Sequence, residues 1–165
     1  MRIFMNMQII GTFLFIGFLF SCTSKWENIK KTQNVYPKDS ISVYNLYVLD
    51  DIERKWVNEA YRNYEYKKYC GNKVEATFEL SNSMVSMDLW KDTFKIAKSL
   101  QNDFRASGIC HFIGQTLSQG KLKIYLYHED GLNPIGTLLN FRIPNVGIMT
   151  DDPDWRFYST FLLKN

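Results

Sequence analysis

The sequence predicts an α+β fold, a mainly antiparallel sheet with two helices packed on one of its faces. Three observations carry that expectation. Residues 73–80 and 121–128 alternate apolar and polar side chains, the pattern of half-buried antiparallel strands. Residues 50–70 and 88–108 instead repeat their apolar residues at helical spacing. The elements expected along the chain follow the order β-α-β-β-α-β-β-β-β, as in a layered α+β domain. A chain of 165 residues suits one domain, and 45% hydrophobic with 16% aromatic residues argues against disorder. A formal net charge of +3 is too small to point to nucleic acid.

Taken in order, residues 41–49 (ISVYNLYVL) are β-branched and aromatic and read as a strand. Asp50-x-x-Glu53 has the form of a capping box, and Ile52, Trp56, Val57, Ala60, Tyr61 and Tyr64 follow at helical spacing up to Gly71. This predicts a helix over 50–70. In residues 73–80, Val74, Ala76, Phe78 and Leu80 oppose Lys73, Glu75, Thr77 and Glu79. Ser81-Asn82-Ser83 turns the chain into a short strand at 84–87. Asp88 can cap a second helix carrying Trp90, Phe94, Ala97, Leu100, Gln101 and Phe104, which Gly108 ends. Residues 109–117 and 121–128 read as a hairpin around Ser118-Gln119-Gly120. Further strands are expected at 136–143 and 155–163, with Pro144 and Pro153 bounding the loop between them. The first six elements then follow a ferredoxin-like order.

The N-terminus reads MRIFMNMQIIGTFLFIGFLFSC. Arg2 is its only charge, and the apolar run 9–20 is shorter than the ~20 residues a bilayer span requires. That is the form of a signal peptide; an uncleaved anchor is the alternative. Leu19-Phe20-Ser21-Cys22 resembles the lipobox of bacterial lipoproteins, with Phe20 standing where the pattern has a small residue. The resemblance covers these 22 residues only. It implies cleavage before Cys22, lipidation of Cys22, and attachment to the membrane through that N-terminal lipid. Two or three acyl chains hold firmly where one binds marginally. Thr23, rather than Asp, resembles the outer-membrane sorting class, so the expected location is the cell envelope, at the outer membrane facing the periplasm. Lys25-Trp26-Glu27 partly resembles a Bacteroidetes surface-export signal, which leaves surface display open.

The expected organisation is a signal peptide at 1–21, a lipidated Cys22 with a flexible polar tether through 40, and one α+β domain at 41–165. As a coil the tether would span on the order of 25 Å.

With Cys22 lipidated, Cys70 and Cys110 remain, the number for one disulfide outside the cytoplasm. Both stand at exits of the two expected helices. A bridge would close a loop of about 40 residues, worth about 4 kcal/mol in the chain-entropy account. Two buried free thiols are the alternative.

No motif of an established catalytic class occurs: G-x-S-x-G, H-E-x-x-H, Walker and Rossmann patterns are all missing from the sequence. Cys110, His128 and Asp130 could be assembled into a nucleophilic set, and Cys70, Cys110, His111 and His128 into a zinc site. The expected disulfide consumes the thiol of the first, and the second lacks the short ligand pairs of zinc sites, so no catalytic or metal-ligating residue and no cofactor is expected. Asp151-Asp152-Pro153-Asp154 reads as a turn with Asx caps rather than a calcium loop. Tyr61, Tyr64, Tyr66 and Tyr69 cluster on or beside the first expected helix and form a candidate interaction surface. The expected function is therefore a lipid-anchored envelope protein with a non-catalytic, protein-binding domain of immunity, inhibitor or assembly-accessory type. A small-molecule or lipid carrier is the alternative, followed by an envelope hydrolase built on His128.

Overall fold

The computed structural model describes residues 25–48, 51–80, 87–106, 108–129 and 145–163. The signal and lipobox residues through Cys22, the turn at 81–83 and the strand expected at 136–143 lie outside the described residues. The chain forms two compact units, residues 1–36 and 37–165.

In the first unit, residues 25–32 form helix α1. Its last turn is held by the Thr32 hydroxyl donating to the Asn28 carbonyl (2.8 Å) and the Gln33 amide donating to Ile29 (2.8 Å). The flexible tether expected through residue 40 is thus helical over 25–32.

Among the described residues the second unit is built on six antiparallel strands: β1 (Ile41–Val48), β2 (Asp51–Asn58), β3 (Asn72–Glu79), β4 (Cys110–Ser118), β5 (Lys121–His128) and β6 (Asn145–Asp151). Across the sheet they run β1-β2-β4-β5-β3-β6. Helix α2 (Met87–Arg105) follows β3, and helix α3 (Arg156–Leu163) follows β6.

Alternation sorts the sheet residues between two cores. Trp56, Val74, Ala76, Cys110, Phe112, Leu117, Leu122, Ile124 and Leu126 pack with Ala97, Leu100 and Phe104 of α2. The opposite face carries Tyr125, in tilted contact with Phe157 and Phe161, and Tyr127, stacked on Trp155. The fold is α+β and mostly sheet, with α2 and α3 on opposite faces.

The helix expected over 50–70 is a correction. That stretch is β2 followed by two 3-10 turns, Glu59–Tyr61 and Lys67–Tyr69. Lys55, Trp56, Val57 and Asn58 are buried consecutively. A helix packed on a sheet buries one stripe, whereas a strand covered on both faces buries every residue. Pairing with β1 and β4 thereby outweighs the local capping-box signal. With that helix goes the ferredoxin-like order, and with it the pair of helices on one face.

The strand expected at 155–163 is likewise α3. Asp152 accepts from the Arg156 amide (2.8 Å) and the Phe157 amide (2.9 Å), satisfying two donors of the first turn. Tyr158 and Phe161, three residues apart, are its buried face, and Trp155 just before it is buried with them. Met87, expected to end a strand, instead opens α2.

The β4–β5 hairpin forms as expected. Gln119 and Gly120 have φ of 48° and 70°, the left-handed pair of a two-residue type I′ turn.

Candidate interaction surface

The two histidines are sealed inside the sheet layers. His111 is wholly buried, with the Tyr64 hydroxyl 2.9 Å from Nε2 and the Tyr61 hydroxyl 3.2 Å from Nδ1. A neutral imidazole has one N–H and one lone pair, so one tyrosine accepts from the ring and the other donates to it. Burial keeps the ring neutral, pushing its pKa down to about 3, and the Arg105 charge adds to that shift. Trp155 completes the cluster, its ring centroid 5.9 Å from that of His111 and its Nε1 donating to the Cys70 carbonyl (2.8 Å).

His128 lies on the other face, stacked against Phe104 with 6.3 Å between ring centroids, while its Nδ1 is 2.7 Å from the Glu129 carbonyl. Cys110 stands directly opposite His128 in the β4–β5 register. The sequence-derived cysteine–histidine pair is therefore adjacent, but it lies beneath α2. Burial also raises the Cys110 pKa, keeping the thiol protonated and unreactive. His111 faces away from both, so the four residues of the zinc reading are not brought together. Asp130 lies outside the described residues.

Cys70 and Cys110 are both buried and are not bridged to each other, which differs from the expected disulfide. Cys110 and Asn72 both pair with His128, one from each side, so β5 stands between β4 and β3. Two strand spacings are about 10 Å, beyond the ~7 Å over which Cα atoms are bridged. Cys70 stands two residues before the start of β3 and is anchored there by its carbonyl bond to Trp155.

The tyrosine surface is also reordered. Tyr61 is fully buried, in ring contact with His111 and Trp155, and so cannot meet a partner. Tyr64, Tyr66 and Tyr69 are half-buried. Tyr64 packs edge-on against both Tyr61 and Tyr66, at 5.4 and 5.6 Å between centroids. Tyr61 and Tyr64 thereby join the aromatic cluster around Trp155.

The acidic turn does structural work as well. Besides capping α3, Asp152 accepts from the Tyr127 hydroxyl (2.5 Å), and its own amide donates to Gly71 (2.7 Å). The turn is thereby fixed to the start of β3.

β2 adds a buried lysine. The Lys55 ammonium donates to the Phe161 carbonyl in the last turn of α3 and sits over the Phe161 and Tyr44 rings, 4.8 and 5.5 Å from their centroids. Unpaired carbonyls and the negative dipole end make that position favourable to a cation.

The surface feature missed from the sequence is the β1–β2 hairpin. Val43, Tyr47 and Ile52 are its large exposed apolar side chains, at 51%, 75% and 46% accessibility. Tyr47 stands opposite Ile52, so the two share a face. Among the described residues β1 is an outer strand of the sheet, and it carries no charge, no proline and no bulge. Natural outer strands commonly carry such devices because their unpaired backbone groups recruit other chains.

The direction of those backbone groups follows from one bond. The Glu59 amide donates to the Ser40 carbonyl at 2.7 Å, so 40 and 59 form a hydrogen-bonded pair in the β1–β2 ladder. Antiparallel pairs alternate. Ser42, Tyr44 and Leu46 therefore bond inward to β2, and Ile41, Val43, Asn45 and Tyr47 aim their N–H and C=O groups outward. The signal for this in the sequence is the two-residue gap at 49–50 between two strand-length segments, the spacing of a tight hairpin.

Among the described residues no helix is long and apolar enough to cross a membrane. No family model matches the chain, and no curated protein or solved structure matches it.

Proposed function

We propose that this is a lipid-anchored protein of the bacterial cell envelope whose folded unit binds another polypeptide through the outer edge of β1. The observation carrying this reading is the pairing of outward-directed backbone groups with exposed Val43 and Tyr47 on an uncharged strand. The lipobox-like Leu19-Phe20-Ser21-Cys22 supports the anchor. A binding role is favoured over a hydrolase because His111, His128 and Cys110, the side chains suited to nucleophilic or base chemistry, are buried. Strand addition uses main-chain bonds for affinity and alternate side chains for selectivity, which is what this edge offers.

The test has two arms. Metabolic labelling with an alkyne fatty acid marks the wild-type chain and leaves Cys22→Ser unlabelled; equal labelling of both removes the anchor. A photo-cross-linking amino acid at position 47, in the full chain in living cells, yields a defined covalent adduct with a polypeptide. The same group at exposed Lys95 on α2 does not. Equal yields from the two positions contradict the binding edge.

A further inference from the structure

We propose that the polypeptide received by β1 is the β1 strand of a second copy of this chain, paired antiparallel about a two-fold axis through Asn45. The proposal rests on the protein-binding reading of the same edge.

The phase of the backbone restricts the registers. Ile41, Val43, Asn45 and Tyr47 direct their bonding groups outward, so odd residues must meet odd residues across the seam. Three closely related two-fold registers satisfy this, centred on Tyr44, Asn45 or Leu46. Centring on Asn45 sets Val43 against Tyr47 of the second copy, twice by symmetry. It also sets Tyr44 against Leu46 on the opposite face. Every aromatic residue then meets an aliphatic one, the kind of cross-strand pair that stabilises sheets, and the one amide meets its own copy. Centring on Tyr44 places Val43 against Asn45, and centring on Leu46 places Tyr47 against Asn45. Both waste the exposed apolar side chains on a polar neighbour. The segment Val43-Tyr44-Asn45-Leu46-Tyr47 is thus complementary to itself in one register, as a two-fold interface requires.

Charge agrees. β1 has no ionised side chain, so two copies meet without repulsion along the seam. The nearest cation on the exposed face is Arg54, opposite Asn45 on β2. Two Arg54 residues would be separated by three strand spacings, about 14 Å, beyond the ~8 Å screening length at physiological salt. A foreign strand would meet the same backbone groups, but nothing in β1 selects a charge pattern on it.

The test uses the full chain purified in detergent, with cysteines placed on β1. Paired residues of a hydrogen-bonded antiparallel pair have Cα atoms about 5.5 Å apart, within disulfide reach. On mild oxidation Asn45→Cys forms a covalent dimer. Val43→Cys and Tyr47→Cys do not form one separately, because each lies about four residues from its own copy, but a mixture of the two does. Asn45→Cys in a Cys22→Ser background behaves identically, which excludes bridging through the N-terminus. By sedimentation the wild type is a dimer at about 100 µM, and Tyr47→Lys weakens association by about tenfold or more. Unchanged thermal unfolding of Tyr47→Lys shows that the variant is folded.

A wild type that stays monomeric, a dimer indifferent to Tyr47→Lys, or Asn45→Cys cross-linking no better than Lys95→Cys overturns self-pairing. The binding reading fails separately: it falls if position 47 cross-links to polypeptides in cells no better than position 95.

Discussion

Arg54 stands directly opposite Asn45 across the β1–β2 hairpin, and its Nε donates to the Asn45 side-chain oxygen at 3.0 Å. This bond holds a polar pair at the centre of a face whose large exposed side chains, Val43, Tyr47 and Ile52, are apolar. A hairpin with that surface belongs to a contact rather than to solvent. Because these side chains are exposed in the isolated fold, removing them should barely affect folding. Val43→Lys and Tyr47→Lys are expected to shift unfolding free energy by no more than about 0.5 kcal/mol in urea titrations of dilute protein. A loss of several kcal/mol would mean that this face is already buried within the chain.

Lys55 joins β2 to the end of α3 through the Phe161 carbonyl. Lys55→Met keeps most of the apolar stem and removes the ammonium. It is expected to cost about 1–3 kcal/mol, because a buried carbonyl loses its donor and the helix end loses its cation. Urea unfolding followed by tryptophan fluorescence measures it, Trp155 being on the same face. No change would show that the bond contributes nothing.

His111 makes the fold acid-sensitive. Its folded pKa, about 3, lies below the ordinary value of 6.5, so the unfolded chain binds the proton more readily. Stability from this group is complete above about pH 7 and is lost as pH falls from about 6.5 toward 3, by up to about 5 kcal/mol. Thermal midpoints recorded across that range should fall steeply for the wild type. His111→Phe, although less stable at neutral pH, should show a shallower dependence; parallel curves would contradict the assignment.

Gly114 sits beside the irregularity in β4 and lies against both β2 and α3. A Cβ there would stand 2.4 Å from the Trp56 carbonyl oxygen and 2.6 Å from Phe161 Cε1. The backbone oxygen cannot move without breaking the β2–β4 ladder. Gly114→Ala is expected to destabilise by about 2–3 kcal/mol or to prevent folding, read by urea titration or by soluble yield. A wild-type unfolding curve would show that the close approach relaxes without cost.

Legibility in the sequence followed the range of the interactions concerned. β3, α2 and the β4–β5 hairpin were readable because local pattern and tertiary burial agree there. Lys121 and Lys123 do lie on the same side as Tyr125 and Tyr127, against Leu122, Ile124 and Leu126. β2 was not readable, because Ile52, Trp56, Val57, Ala60 and Tyr61 satisfy helical spacing equally well. Only the ladders to β1 and β4 decide against it. α3 was hidden by its own composition: Trp155, Phe157, Tyr158 and Phe161 favour strands, while the deciding bonds come from Asp152. The same error hid the candidate surface. A helix at 50–70 sets Tyr61 and Tyr64 on one apolar face with Trp56 and leaves β1 without its neighbour, whereas the hairpin buries Tyr61 and exposes Tyr47.

Amide hydrogen exchange along β1, resolved by residue and recorded at several protein concentrations, tests the binding edge most directly. In dilute solution the Ser42, Tyr44 and Leu46 amides should be protected by their bonds to β2, while those of Val43, Asn45 and Tyr47 exchange rapidly. Raising the concentration should slow the second set alone. Rapid exchange of Val43, Asn45 and Tyr47 at every concentration would contradict pairing between copies. Protection of that set already in dilute solution would contradict the outward direction of their backbone groups.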